Sequence, residues 1–517
     1  MIARIVRKEL LVNLLSLRFI IGLIVTTLMM GLVGFVLVQD YAGRRQAYLG
    51  DVQRHTDNLR TIKVYSVVSI TMDIPPSPLS IFSRGPKDLP SAITVSPYHI
   101  PSILDQNESG ETISLQGSND RPVNPLLRIF SSIDIAFVVQ IVFSLLAILF
   151  VFDSFSGERE QGTLRLLLSN PAGRLQLLAG KFIGALLTIA VPLTIGFLVV
   201  VLLGIIYGGI VFTGADWGGI LFLYAVSLLF LAAFLGLGLF VSLFARESST
   251  GLMYLLLVWV VIAVALPSGG AYVAEFWTPG RSESALAQEV NDHFNDAVNK
   301  IPYKMNGGWN GAWCSYDAGE KILGLTKEEA LNRIEFNKRV FPMKFQLAED
   351  LYKVRDQFRR ELEKKDQVRS LFALFSPSAL LGDVAQRVAG TSPGSYQQAH
   401  ESARQYRNAM MAYLQPKVAT ASWFTRIEDY PDMEPTEESN RYWDAVAKKE
   451  GPDVYFSKRW NWDRVSGIDL KDMPQPTLRI PGMQERVGES ISGVSLLALY
   501  GVVLLILAGW KLTRYAV

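Results

Sequence analysis

The sequence contains little cysteine, little histidine and few charged residues. Its single cysteine, Cys314, excludes an intramolecular disulfide framework and a cysteine-rich metal site. The histidines His55, His99, His293 and His400 lie far apart in the chain, and we interpret each as a surface or capping residue. Only 19% of the 517 residues are charged, whereas soluble domains average about 25%. This shortage of charge points away from an ordinary soluble protein.

The charges that are present nearly cancel. Fifty lysines and arginines stand against 48 aspartates and glutamates, which gives a formal net charge of +2. Nucleic-acid-binding proteins usually carry a clear basic excess, so this balance predicts that the chain has no nucleic-acid partner. Half of the residues are hydrophobic. Because disordered chains contain too few apolar residues to build a core, an intrinsically disordered chain is also excluded.

Sequence motifs for catalysis are missing as well. Neither the HExxH signature of zinc peptidases nor the GxSxG motif of serine hydrolases occurs. The segment from Gly173 to Gly180-Lys181 resembles a phosphate-binding loop only superficially, because its spacing is wrong and no Ser or Thr follows the lysine. The carboxylates are scattered, without a conspicuous pair. We therefore expect no catalytic, cofactor-binding or metal-binding residue in this chain.

Six long runs without a charged side chain are the main feature that the sequence does have. A helix needs about 20 apolar residues to cross about 30 Å of hydrocarbon. A single run is also compatible with a buried core helix, but six in one chain predict a polytopic membrane protein. The third run is broken near Gly208-Gly209, and Pro267 is expected to mark the exit of the fifth. The runs are 19–38, 135–152, 182–215, 217–245, 248–274 and 490–510.

Ionisable side chains are absent from these runs. Proton- and ion-driven carriers usually reveal themselves by such groups inside the membrane, so the sequence argues against that class. Lys and Arg collect instead at flanks that share one side when both termini are cytoplasmic, as short cytoplasmic segments favour. The turn between the third and fourth runs has neither. The basic flanking residues are Arg4, Arg7, Lys8, Arg18, Arg159, Arg165, Arg174, Lys181, Arg246, Lys511 and Arg514.

This topology divides the chain into five parts. Residues 1–38 form an N-terminal interfacial segment and the first span, residues 133–267 the second to fifth spans, and residues 490–517 the sixth span and the cytoplasmic C-terminus. Residues 39–132 and 268–489 are two long extracytoplasmic inserts. The predicted fold class is an all-α polytopic membrane protein with six transmembrane helices, a small α/β insert and a larger, mainly α-helical insert.

The first insert is predicted to begin with a helical continuation of the first span over residues 40–60. β-Branched and aromatic residues favour strands over 61–74 and 92–96. Residues 101–125 are rich in Ser, Asn, Gly and Pro, which favours a loop.

The second insert contains two apolar stripes at helical spacing. One consists of Leu347, Leu351, Val354, Phe358 and Leu362, and the other of Ala399, Ala403, Tyr406, Met410 and Tyr413. We expect two helices to bury these stripes against each other as an antiparallel pair. A ligand-binding role for the stripe of tyrosine and methionine is the alternative.

Residues 153–171, between the second and third runs, form the most informative segment. Glu158 and Glu160 sit where a helix would begin, and acidic side chains there favour the helix dipole. Asn170-Pro171 is expected to end the helix. The apolar side chains that group on one side are Leu164, Leu167 and Leu168. The pattern predicts a short amphipathic helix at the membrane interface that is available to a soluble partner; a connector without a partner is the alternative.

These residues carry a resemblance to a known family. The segment resembles the permease subunits of type-2 ABC exporters, including those described as involved in multicopper-enzyme maturation. Stretches at 75–82 and 122–126 are similar to members of this family with large loops. The matching residues are Gly157-Glu158-Arg159-Glu160, Gly162-Thr163-Leu164, Leu168-Ser169-Asn170-Pro171, Arg174 and Gly180-Lys181.

The resemblance implies that the segment is a coupling helix that docks into a groove on a cytosolic ABC ATPase subunit. That ATPase would bind ATP and Mg, so this chain would hold no cofactor and would not itself be an enzyme. Its location would be the bacterial inner membrane, beside a second permease copy or a related permease; an extracytoplasmic protein is a further candidate partner. The implied docking residues are Glu158, Arg159, Glu160, Gly162, Thr163 and Leu164, with a secondary cytoplasmic contact from Arg246 and Glu247.

Three functions stay open at this stage. The first is the permease subunit of an ATP-driven exporter, which either moves a cargo or transmits force to its large inserts. The second is a membrane-anchored extracytoplasmic scaffold or assembly factor without transport. The third is an integral membrane enzyme with an exported active site. The size of the inserts makes force transmission credible within the first.

Overall fold

Long apolar runs form helices because a backbone without access to water must satisfy its own hydrogen bonds. A computed structural model describes residues 2–62, 68–85, 91–95, 133–164, 173–278, 280–300, 374–420, 437–450 and 468–514, with short pieces at 104–106, 112–114, 304–305 and 308–309 and scattered residues between 342 and 371. Within these ranges, six helices are long and apolar enough to cross a membrane. The predicted number of spans is confirmed.

The described helices are numbered in chain order. They are α1 (Ile2–Leu14), α2 (Leu17–Thr61), α3 (Ile135–Val138, a π turn at Val139–Phe143, and Ser144–Val151), α4 (Ser156–Glu160), α5 (Arg174–Ile206), α6 (Gly214–Phe244), α7 (Ser248–Val260, a π turn at Val261–Ala265, and Leu266–Trp277), α8 (Glu283–Lys300), α9 (Pro377–Ala389), α10 (Pro393–Thr420), α11 (Glu437–Glu450) and α12 (Met483–Thr513). The six spans are α2, α3, α5, α6, α7 and α12.

Two expectations about the spans are confirmed, and a third, the exit of the fifth span at Pro267, stays a prediction. The helical continuation of the first span is present, because α2 extends to Thr61. The third run breaks as expected: α5 ends at Ile206, and Gly209 has a φ of +56°. The helix itself does not end at Pro267, where the fifth span is expected to leave the membrane. The π turn that precedes it and its place at the start of an α-helical piece accommodate the missing N–H, so α7 continues to Trp277.

The described part of the first insert contains short antiparallel strand pairs. β1 (Ile70–Asp73) pairs with β2 (Ala92–Val95), which confirms strands within both predicted ranges, although Thr61 still belongs to α2. The loop expected over 101–125 contains β3 (Leu104–Gln106) paired with β4 (Thr112–Ser114), and the rest of that range lies outside the described residues. A third pair, β5 (Lys304–Met305) and β6 (Gly308–Trp309), belongs to the second insert.

Each of the two apolar stripes predicted in the second insert belongs to a different hydrophobic cluster. Val354 and Phe358 share a cluster with Leu286 and Val290 of α8, and Leu362 lies outside the described residues. The stripe on α10 packs instead on β1 and β2, in a core that draws on both inserts. Within the described residues the stripes are not packed on each other, although the segments that carry them meet through the ion pair of Arg407 and Glu349 at 3.4 Å.

A further part of the second insert belongs to the core of the spans. The buried face of α9, with Leu381 and Val384 at its centre, joins the large cluster formed by the spans. A Cβ on Gly493 of α12 would come 2.8 Å from Val384 Cγ2, so this glycine permits the close packing of α9 on the sixth span.

Candidate functional site

The segment expected to dock a partner lies at one end of the helical bundle, together with several other chain segments. Arg18 at the start of α2 pairs with Asp153 at 2.7 Å. Arg174 at the start of α5 donates to the carbonyls of Leu512 and Thr513 at the end of α12, at 3.3 and 2.7 Å. We call this end, with its cluster of basic flanks, the basic end. Which side of the membrane it faces stays a prediction.

Helix α4 begins at Ser156 because a neighbouring span caps it. The amides of Phe155 and Ser156 donate to the buried hydroxyl of Ser242 in α6, at 3.0 and 3.1 Å. The helix ends at Glu160, and Gly162 follows with a φ of +72°, a conformation that favours glycine. The single helix expected within 153–171 is therefore interrupted at Gly162. Leu164 is buried, whereas Leu167 and Leu168 lie outside the described residues.

Arg159 ties α4 to the end of the fourth span. Its guanidinium donates to the carbonyls of Ala245 and Leu243, at 2.6 and 3.1 Å. The last carbonyls of a helix lack intrahelical donors, and the dipole there favours a cation. Arg159 therefore has a structural role in holding the end of α6, and these bonds turn its charged group toward the protein.

Glu160 plays the corresponding role at the start of the fifth span. Its carboxylate oxygens accept hydrogen bonds from the amide and the hydroxyl of Ser248, at 2.8 and 2.9 Å. Free amides and the dipole at a helix N-terminus favour a carboxylate. Arg159 and Glu160 together fix α4 between the end of α6 and the start of α7.

Glu158 completes the turn and faces a buried lysine. Thr163 donates from its amide to the Glu158 carbonyl at 3.0 Å, and its hydroxyl bonds to the Glu158 carboxylate. Lys181 Nζ lies 3.0 Å from a carboxylate oxygen of Glu9 in α1 and 3.9 Å from one of Glu158. The Lys181 side chain is only 5% exposed. A buried charge persists when paired, so this lysine links α1, α4 and α5.

The close approach of α1 to α5 explains why Glu9 reaches this lysine. A Cβ on Gly180 would lie 2.6 Å from Ile5 Cγ2, and one on Gly184 would lie 2.8 Å from Glu9 Cβ. Two glycines four residues apart leave a groove on the helix face. Glu9 was not predicted as part of the site, although the Gly-x-x-x-Gly spacing of Gly180 and Gly184 indicates that another helix packs closely beside Lys181.

Several residues around α4 remain exposed for a partner, including Glu160, although its carboxylate is bonded to Ser248. We call Gln161, Gly162, Arg246 and Glu247 the exposed rim; all four are solvent-accessible. The structure therefore separates the predicted docking residues into two groups. Glu158, Arg159, Glu160 and Thr163 use their polar groups to position the loop, whereas Gly162, Arg246 and Glu247 lie on its surface beside Gln161, which sequence analysis missed. Among the described residues, no group of three or more His, Cys, Asp or Glu side chains is arranged to hold a metal ion.

Comparison with known proteins identifies the family. Residues 3–299, more than half of the chain, match the model of the ABC-2 family of transporter proteins, and the chain therefore belongs to that family. With its six candidate spans it is a multi-pass ABC transporter permease. Residues 334–434 match a second model, a domain of unknown function (DUF3526).

Two curated relatives are similar over short segments. The probable ABC transporter permease protein NosY of Stutzerimonas stutzeri is 44% identical over 63 residues, which cover 12% of this chain and 23% of the relative. The protein of the same name from Pseudomonas aeruginosa is 53% identical over 53 residues, 10% of this chain and 19% of the relative. In both cases the match covers less than a quarter of the relative's length.

Proposed function

We propose that this permease is the membrane subunit of an ATP-driven exporter or force-transmitting complex, and that its basic end lies in the cytoplasm and docks a separate ATPase. The family supports this proposal, since an ABC permease implies an ATPase partner. The observation that carries it is the attachment of one short loop to five helices at the basic end. ATP and Mg would be bound by the partner, and the membrane would be the bacterial inner membrane.

The contacts of the loop that contains α4 would transmit a movement of α4 to the spans. Asp153 pairs with the start of α2, Arg159 holds the end of α6, and Glu160 caps α7. Lys181 adds α1 and α5 through its two carboxylate partners. A partner that moves α4 would therefore move the ends of several spans together. Such a partner shifts the equilibrium between two conformations of the permease only if it binds one conformation with higher affinity than the other.

We further propose that a second permease copy, or a related permease, covers part of the fifth span. Of the six candidate spans, α7 has the smallest buried share within the described residues, and its outward face is apolar. The second copy would compete with lipid for this face. Exposed large side chains on it include Met253, Leu257, Val261 and Val264.

Within this class, the inserts favour force transmission to the outside over passage of a cargo alone. Helix α9 packs among the spans, and β1, β2 and α10 share one core. A movement of the spans would reach the inserts through these contacts. The inserts would then transmit this force to an extracytoplasmic protein that binds them.

Purification of the tagged full chain from its native membranes tests the docking proposal. The wild type is expected to retain a nucleotide-hydrolysing subunit, and the rim variants Gln161→Trp and Arg246→Glu are expected to lose it while still inserting. Asn408→Trp, on the exposed face of α10, is the matched control and should retain it. Glu158→Lys is unsuitable, because a second lysine beside Lys181 would disrupt the loop itself.

Two results would contradict the proposal. One is that both rim variants bind the ATPase as well as the wild type does. The other is that the wild type purifies without any ATPase, which would favour a membrane-anchored scaffold without transport.

A further inference from the structure

The fifth span contains a backbone carbonyl that its own helix does not satisfy. In the π turn of α7, the amide of Leu266 donates to the carbonyl of Val261. The next donor in a π pattern would be residue 267, but Pro267 has no N–H. The carbonyl of Ile262 is therefore left without its α-helical and its π-helical donor. An unpaired backbone group inside a bilayer is strongly unfavourable.

A residue of the second insert supplies the missing donor. The hydroxyl of Ser376 donates to the Ile262 carbonyl at 2.7 Å, and Ser376 is fully buried. We propose that Ser376 is a latch that completes the hydrogen bonding of the fifth span and couples its π turn to α9. The insert helix cannot leave the bundle without exposing this carbonyl. The π turn and α9 therefore change position as one unit.

A second contact joins the start of α9 to the other π turn. Gln140 lies in the π turn of α3, and its side-chain amide donates to the carbonyl of Ser378 at 2.8 Å. The helical pieces next to the two π turns are also connected, since the indole N–H of Trp259, two residues before the π turn of α7, donates to the hydroxyl of Ser144, the first residue after the π turn of α3, at 2.8 Å. Single π turns are frequent at functional positions of helices.

The latch lies at the depth of the membrane. Gln140 is 13 residues before Asp153, and Ile262 is 14 residues after Ser248. Tyr500, whose hydroxyl donates to the Leu374 carbonyl at 2.5 Å, is 13 residues before Thr513. At 1.5 Å per residue, all three lie about 20 Å from the basic end, within a hydrocarbon core of about 30 Å.

The sequence around Ser376 fits this location. Residues 370–382 contain no charged side chain, although they belong to an insert rich in charge. A run of this length is too short to span a bilayer but suits a segment that enters it from one side. Leu374 and Phe375 present large apolar side chains at the surface, which a lipid environment accepts.

A double-mutant cycle tests the latch in the purified full chain. Pro267→Ala restores an N–H beside the orphaned carbonyl, so the Ser376→Ala variant should lower the midpoint of thermal unfolding much less in that background. Ser376 also caps α9 through the amide of Ala379, at 3.2 Å, and loss of the cap alone would lower the midpoint equally in both backgrounds. Equal losses would therefore overturn the proposal. Ser376→Thr should restore the wild-type midpoint.

Ser378 offers a matched control two residues away. Its hydroxyl is buried and has no hydrogen-bond partner in the described part of the chain. Ser378→Ala is expected to leave the midpoint unchanged, and a loss as large as that of Ser376→Ala would contradict a specific role for Ser376.

Cysteine labelling measures the accessibility of the start of α9, which a change in overall stability does not alter. With Cys314→Ser as background, Phe375→Cys should resist a water-soluble maleimide in opened membranes, whereas Asn408→Cys should react. Addition of Ser376→Ala should increase the rate of labelling at position 375, since the start of α9 then loses one of its hydrogen bonds to the spans. If position 375 is labelled no faster when Ser376→Ala is added, the latch is contradicted. If Phe375→Cys reacts freely while Ser376 is still present, the proposed depth in the membrane is contradicted.

Discussion

At the scale of single residues, Arg159 and Glu160 satisfy groups that two spans leave open at their ends. The guanidinium of Arg159 accounts for two carbonyls of the α6 terminus, and the carboxylate of Glu160 for the first amide of α7. Neighbours in sequence thus carry opposite charges that suit opposite helix ends. Their placement fixes the turn between the fourth and fifth spans.

Replacement of Arg159 tests this role. Arg159→Met removes two charge-assisted hydrogen bonds and leaves two carbonyls without a donor, so unfolding should become easier by about 2 kcal/mol. Arg246→Met, at an exposed arginine on the rim, should change stability by less than about 0.5 kcal/mol. Thermal unfolding of both variants in the same detergent measures the difference, and equal losses would contradict the assignment.

At the scale of elements, the N-terminal helix α1 is seated on the third span by two glycines and one buried lysine. Lys181 is shared unequally between Glu9 at 3.0 Å and Glu158 at 3.9 Å. The aromatic ring of Phe155 lies 5.7 Å from its ammonium group. A shared partner of this kind transmits the position of α1 to the docking loop.

Because Lys181 is shared between two carboxylates, its loss should destabilise the protein more than the loss of one carboxylate. Lys181→Met leaves the carboxylates of Glu9 and Glu158 without a counter-charge in a poorly hydrated site. This change should lower the free energy of unfolding by about 3–5 kcal/mol. Glu9→Gln should cost clearly less, because Glu158 still faces the lysine. The exposed pair of Arg60 and Asp57 is the control, and Arg60→Met should cost at most about 1 kcal/mol. Unfolding midpoints that rank Glu9→Gln as the worst variant would contradict the shared site.

Elements that depend on local composition were predictable from the sequence, and those that depend on distant partners were not. The spans follow from uncharged runs of sufficient length, and the strands at 70–73 and 92–95 from β-branched residues. The continuation of the α7 helix past Pro267 was not predictable, because it depends on a π turn beside the proline that accommodates the missing N–H. The break at Gly162 depends on how Glu158 and Thr163 close the turn, which spacing alone does not specify.

The same division applies to the candidate site. Spacing and resemblance directed attention to residues 158–164, but not to the different tasks within them. Ser242, Ser248 and Glu9 become visible only when separate spans meet. No periodic pattern in the sequence connects residues so far apart in the chain.

At the scale of the whole molecule, the two inserts and the spans form connected cores rather than independent parts. The strands of the first insert and α10 of the second bury a common cluster, and α9 is packed into the core of the spans. One core therefore joins the spans to part of the second insert, and a separate core joins the two inserts to each other. This arrangement suits a permease that converts docking at the basic end into movement of the inserts.

Site-specific cross-linking from the exposed rim tests the docking claim most directly. In a Cys314→Ser background, Gln161→Cys would carry a photoactivatable cross-linker in native membranes, with Asn408→Cys as the control at the inserts. We predict that the product at position 161 contains an ATP-hydrolysing subunit and that the product at 408 does not. The absence of such a subunit from the product at 161, or reaction of position 161 with an impermeant label from outside intact cells, would contradict the account.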